Sequence, residues 1–146
     1  MKLAIVGLGG SYSDYIAARI RSEHFDEVWG INCVGGIIHV DKTIMMDPVS
    51  RFLDSDDAGS QTGIARKFLE KNTKPILTCE LDDRVKHLEL YPLEAVIKDL
   101  NICYFNNTVP YAIAYAIYYG AKELCLYGLD YTYKNVSMAE AGRACT

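Results

Sequence analysis

No Cys-x-x-Cys pair occurs in this chain; its five cysteines, Cys33, Cys79, Cys103, Cys125 and Cys145, stand singly. Histidine is scarce as well, and His24, His39 and His87 share no metal-ligand spacing. Together these absences leave a zinc or redox centre without support, and cysteines inside apolar runs read as small hydrophobes. No cofactor is called for. A long apolar run is also missing: the stretch 109–119 is far short of the roughly 20 residues of a membrane span, so no membrane span is expected. No signal-peptide pattern opens the chain, which reads as cytoplasmic. Basic excess is absent too. Fifteen Lys and Arg against nineteen Asp and Glu give a net charge of −4, and no basic stripe appears. That balance speaks against a nucleic-acid partner held through its phosphates.

What is present is an alternation of strand-like and helix-like segments. Strands are expected at 3–7, 27–32, 43–46, 75–79, 102–105 and 123–127, and helices at 11–21, 61–71, 92–100 and 109–119. Ser11 or Ser13 would cap the first helix. Ile64 and Phe68 would share one face of the second, and Pro92 would open the third. The segment 34–42 reads as loop, as does the acidic 54–60. Strands alternating with helices predict an α/β fold: a three-layer, Rossmann-like domain with a mostly parallel central sheet. No repeat or linker divides residues 1–146, which read as one nucleotide-binding domain. Residues 137–146 look like the opening of a helix without a stop signal. That pattern suits a fragment of a longer chain and a frayed natural end equally.

In an open α/β sheet, ligands sit beyond the carboxyl ends of the strands. The first strand delivers Gly7-Leu8-Gly9-Gly10-Ser11, a tight turn into a helix whose backbone N–H groups suit a phosphate. Tight helix–sheet packing is the alternative use of such glycines. The second strand ends at Asn32 and Cys33, and the third at Asp47. The fourth ends at Glu80, with Asp82 and Asp83 close behind. The fifth delivers Asn106, Asn107 and Thr108, and the last delivers Gly128, Asp130 and Tyr131. Tyr12 breaks the strict G-x-G-x-x-G spacing, and Asn32 replaces the acid that would grip an NAD ribose, so a nicotinamide cofactor is not expected. The Asn32 amide can donate and accept, which suits a ribose or a base edge, though a turn cap needs no more. Asn107 or Thr108 reads as the N-cap of a helix with Pro110 in its first turn. Tyr111, Tyr115, Tyr118, Tyr119 and Tyr127 suit core or interface packing. No Ser-His-Asp or Cys-His arrangement can be argued from spacing.

The segment 106–131, with its polar turn, helix and strand ending Gly128-Leu129-Asp130-Tyr131, resembles bacterial lipooligosaccharide sialyltransferases and related Rossmann-like proteins. Archaeal hydroxymethylpterin pyrophosphokinase-like proteins belong to the same group. The chain looks closest to phage-encoded "norphogenetic protein"-type sequences, through Gly128 to Tyr133 and the Ala-Glu-Ala-Gly-Arg-Ala run at 139–144. Gly7 to Ser11 stands where the sialyltransferases carry Gly-Asn-Gly-Pro-Ser, with Leu8 replacing the Asn. Trp29-Gly30-Ile31-Asn32 stands where their nucleotide-contacting Asn closes a strand. The resemblance implies a CMP-like site lined by Gly9, Ser11, Asn32, Thr108 and Asp130. The catalytic His and Tyr of those enzymes have no matched position in the 146 residues.

The expectation is therefore a nucleotide or nucleotide-sugar binding protein of a glycosyltransferase-like family. Its nucleotide site would be drawn from Gly7, Gly9, Gly10, Ser11, Asn32, Asn107, Thr108, Gly128 and Asp130. The alternative is a phage-type assembly or accessory protein without turnover, the tyrosine-rich helix offering a homo-oligomer surface. A pyrophosphokinase-like transferase would instead need Mg²⁺ between carboxylates such as Asp47 and Asp130.

Overall fold

The computed structural model describes residues 1–131 together with Ser137, Glu140, Arg143 and Ala144. The expected helix at 137–146 and the 139–144 motif thus lie largely outside the described residues.

Six strands form one sheet: β1 (Lys2–Val6), β2 (Glu27–Ile31), β3 (Lys42–Met45), β4 (Ile76–Thr78), β5 (Leu88–Leu90) and β6 (Glu123–Tyr127). Their order is β5-β4-β3-β2-β1-β6, and every neighbouring pair is parallel. The chain winds outward from β1 to β5, then returns to the far side of β1 as β6. Ligand crevices form where such a winding reverses, beyond the carboxyl ends of β1 and its neighbours.

Helices cover both faces because a central parallel strand is buried on each. On one face lie α1 (Tyr12–Ile20), a 3₁₀ turn (Asn32–Gly36), α2 (Val49–Asp54) and α3 (Ser60–Lys71). Their apolar groups meet Ala4, Val6 and Val28, and further along Met45 and Ile76. On the other face α4 (Leu93–Leu100) and α5 (Thr108–Tyr118) pack on Leu3, Ile5, Trp29, Ile31, Ile44 and Leu77. The alternation within β3, Ile44 to one face and Met45 to the other, is the two-residue period of a strand. The three-layer α/β architecture read from the sequence is what the chain forms.

Three local expectations are corrected or refined. Residues 102–105 form no strand. Asn101 turns the chain out of α4 in a left-handed conformation (φ 53°), leaving Ile102 and Tyr104 exposed on a connection into α5. The edge position belongs to Leu88–Leu90, a three-residue strand whose Glu89 and Leu90 face solvent. So short and half-polar a run leaves no period to detect. The second point concerns α3: Ile64 and Phe68 do share a side and line one hollow, but Phe68 is buried with Thr62, Ala65 and Leu69 while Ile64 is 58% exposed. Third, Ser11 occupies the N-cap position of α1 without capping it through its side chain; its hydroxyl is used elsewhere, as described below.

Candidate functional site

Two clefts open at the carboxyl end of the sheet, flanking the start of α5. The larger, about 580 Å³, lies over β2 and β3 and is lined by Asn32, Asp47, Arg51, Phe105, Asn107 and Thr108 among others. The smaller, about 290 Å³, lies over β1 and β6 against Gly7, Gly9, Gln61, Gly128, Asp130 and Tyr131. Ile31 and Val109 border both, so the two form one trough. Seven of the nine expected site residues line it. Gly10 and Ser11 do not.

The glycine turn is tied to the end of β6. Gly7 N–H donates to the Tyr127 carbonyl at 2.8 Å and Gly9 N–H to the Gly128 carbonyl at 2.7 Å. Gly128 N–H donates to Ser11 Oγ at 2.9 Å, and Ser11 N–H donates to Asp130 Oδ2 at 2.8 Å. The chains approach so closely that a Cβ on Gly7 would lie 2.5 Å from the Gly128 carbonyl oxygen. A Cβ on Gly128, itself at φ +66°, would strike the Gly7 carbonyl, and one on Gly9 would strike the Asp130 carboxylate. These glycines therefore satisfy close backbone contact first. Three N–H groups of the turn, those of Gly7, Gly9 and Ser11, already donate within the protein. At the N-terminus of α1 the anion is Asp130 itself, where the helix dipole favours negative charge. The Ser11 hydroxyl and N–H hold its carboxyl below the usual range.

The larger cleft is less settled. Asn32 ends β2 with φ +54°, a left-handed conformation that asparagine tolerates better than most residues. Its Oδ1 is shielded from solvent and has no hydrogen-bond partner. An unpaired buried amide oxygen costs on the order of 1–3 kcal/mol. Across the cleft stands the N-terminus of α5, where Asn107 accepts the Val109 N–H at 2.9 Å as its cap and Thr108 is buried. Phe105 and Tyr111 stack with centroids 4.6 Å apart and form an aromatic wall.

Charge enters from α2. Arg51 donates to Asp47 Oδ1 at 2.7 Å and to Asp57 at 3.3 Å, and these two carboxylates raise its already high pKa further. Sequence reading missed Arg51, Phe105 as a cleft residue, and Gln61. The Asp47–Arg51 spacing of four residues was the available signal, hidden because the six-residue α2 was not anticipated. Glu80, Asp82 and Asp83 do not line the trough. Glu80 accepts from Ser50 at 2.8 Å, and Asp82 pairs with Arg84 at 2.6 Å, which lowers its pKa to about 2. Asp47 and Asp130 border different clefts, and among the described residues no three carboxylate, histidine or cysteine side chains gather as a metal site. No histidine lines either cleft, His39 included.

Comparison with protein families, curated proteins and solved structures returned no match. None of the described helices is long and apolar enough to cross a membrane. The class defined here is thus a three-layer α/β domain with an all-parallel sheet and a trough at the carboxyl edge.

Proposed function

We propose that the trough binds a mononucleotide or nucleotide-sugar, as the resemblance to sialyltransferase-like proteins implies. One observation carries this reading: Asn32 lines the larger cleft, and its Oδ1, shielded from solvent in the free protein, has no hydrogen-bond partner. A turn of the amide toward the cleft gives that oxygen a donor, which a ribose hydroxyl or an exocyclic base amine supplies. The other walls match the remaining parts of such a ligand. Phe105 and Tyr111 offer an apolar face to a base or sugar ring, and Arg51 offers a cation to a phosphate. The glycine turn becomes the floor of the smaller cleft, and its phosphate role passes to Arg51 and the α5 N-terminus.

Transfer of a glycosyl group would require a base to take the acceptor proton. Asp47 is the carboxylate that borders the larger cleft, held by Arg51. A thermal-shift panel of CMP, CDP, UDP-sugars, ATP with Mg²⁺ and NAD tests the reading. A cytidine or uridine nucleotide at about 100 times its Kd raises stability by about 2.7 kcal/mol. No shift with any nucleotide overturns it and leaves the scaffold alternative standing.

A further inference from the structure

Beside the trough, between the 3₁₀ turn and α3, runs an apolar groove that opens into it at Leu8, Ile31, Asn32 and Gln61. It consists of two hollows of about 300 and about 210 Å³ that share Cys33 and Ile64. Phe68 and Gly36 line the first and Leu8 the second. Ile37, Ile64 and Leu8 are 61%, 58% and 57% exposed around it. Single exposed aliphatics are ordinary on a protein surface, but three around one concavity form a patch.

The outer end of the groove carries charge of one sign. Lys67 and Lys71 lie one turn apart on α3 and line the first hollow. Like charges at that spacing repel, and neither has an ion-pair partner among the described residues. No acidic side chain lines either hollow. In a chain of net charge −4, two uncompensated cations at the mouth of an apolar groove select a ligand that is apolar along its length and anionic at one end.

We propose that this groove binds a single-chain anionic amphiphile, a hydrocarbon tail ending in a carboxylate, taken up as a free monomer. The tail lies along Ile37, Phe68 and Ile64 toward Leu8, and the head meets Lys67 and Lys71. The concavity is short, which suits one flexible chain better than the row of anchors an amphipathic peptide helix requires. The inner end of this site adjoins the trough at Asn32, but the first hollow and its two lysines share no residue with the trough, and the proposal does not rest on the nucleotide reading.

Calorimetry with decanoate, kept below its micellar concentration, tests the proposal. Decanoate binds one to one and raises Tm, whereas acetate and decanol each bind about tenfold more weakly or worse. Ile64→Glu removes decanoate binding, and Lys67→Glu with Lys71→Glu weakens it by about tenfold at low salt. Both variants keep the Tm of the free protein, since all three side chains are exposed. The proposal fails if decanoate does not bind, if Ile64→Glu binds it as before, or if decanol binds equally well. It also fails if the protein associates only with anionic vesicles, or if the groove proves to be covered by a second copy in sedimentation at working concentrations.

Discussion

The two ends of the sheet are built on opposite plans. At the amino end, Lys42 Nζ sits 5.6, 5.1 and 5.2 Å from the ring centroids of Trp29, Tyr115 and Tyr119. Glu27 accepts the Trp29 indole N–H at 2.6 Å and the Tyr119 hydroxyl at 3.4 Å. Lys2 bridges Glu23 and Glu123 at 2.8 and 3.0 Å and lies over Phe25. Each of these polar groups has its partner. At the carboxyl end the backbone opens into a trough, glycines replace side chains, and Asn32 Oδ1 goes unpaired. The difference separates two jobs: the charged and aromatic cluster closes the fold, and the trough is lined by an asparagine whose amide oxygen is unsatisfied.

The largest effect expected is at the closed end. Trp29 is fully buried and its ring contacts both Tyr115 and Tyr119. Trp29→Ala should lower unfolding free energy by about 3–5 kcal/mol in urea titrations. A loss below about 1 kcal/mol would mean that the aromatic cluster does not hold the sheet. Next comes the joint between the two turns. Gly128→Ala places a side chain at φ +66° and drives it into the Gly7 carbonyl. Backbone strain alone costs about 1–3 kcal/mol. Gly10→Ala, whose Cβ would meet nothing, is the control and should cost well under 1 kcal/mol.

That pair of glycines also marks what the sequence discloses. Five of the six strands, the four long helices and the polar strand ends are legible, because buried parallel strands and amphipathic helices carry their own periods. The tie between Gly7 and Gly128 is not, since residues 121 positions apart meet only once the sheet is assembled. For the same reason Ser11 reads as a helix cap, although its hydroxyl is turned toward Gly128 and Asp130. The strand order decides this, and local chemistry does not contain it. Leu88–Leu90 escaped notice because an edge strand of three residues has no pattern to show, while 102–105 had an apolar run and no vacancy in the sheet.

A smaller, pH-dependent effect separates the joint from the rest of the surface. Asp130 has a pKa lowered from 3.8 by the Ser11 hydroxyl and N–H. A depressed carboxylate stabilises the fold above its unfolded pKa and loses that contribution as pH falls through the folded value. Asp130→Asn keeps the shape and removes the charge. Its stability deficit should be fully present near neutral pH and shrink as pH falls below about 4. A deficit that stays constant across acid pH would show that the carboxylate's charge contributes nothing to the joint.

The smallest stability effect belongs to the residue on which function is staked. At the closed end, truncating Trp29, Glu27 or Lys42 removes a satisfied contact, so stability falls. Asn32→Ala removes an oxygen that is already unpaired, so the usual penalty of a lost hydrogen bond does not arise. Relief of that penalty is opposed by the left-handed backbone at φ +54°, which alanine adopts less readily than asparagine. The two terms oppose each other, and the net change in unfolding free energy should stay within about 1 kcal/mol of zero. Nucleotide-induced stabilisation should nonetheless vanish in the same protein. A variant that loses the ligand shift while keeping its fold assigns Asn32 to binding. A variant that loses several kcal/mol of stability instead would place Asn32 with the satisfied groups of the opposite end, and the contrast between the two ends would collapse.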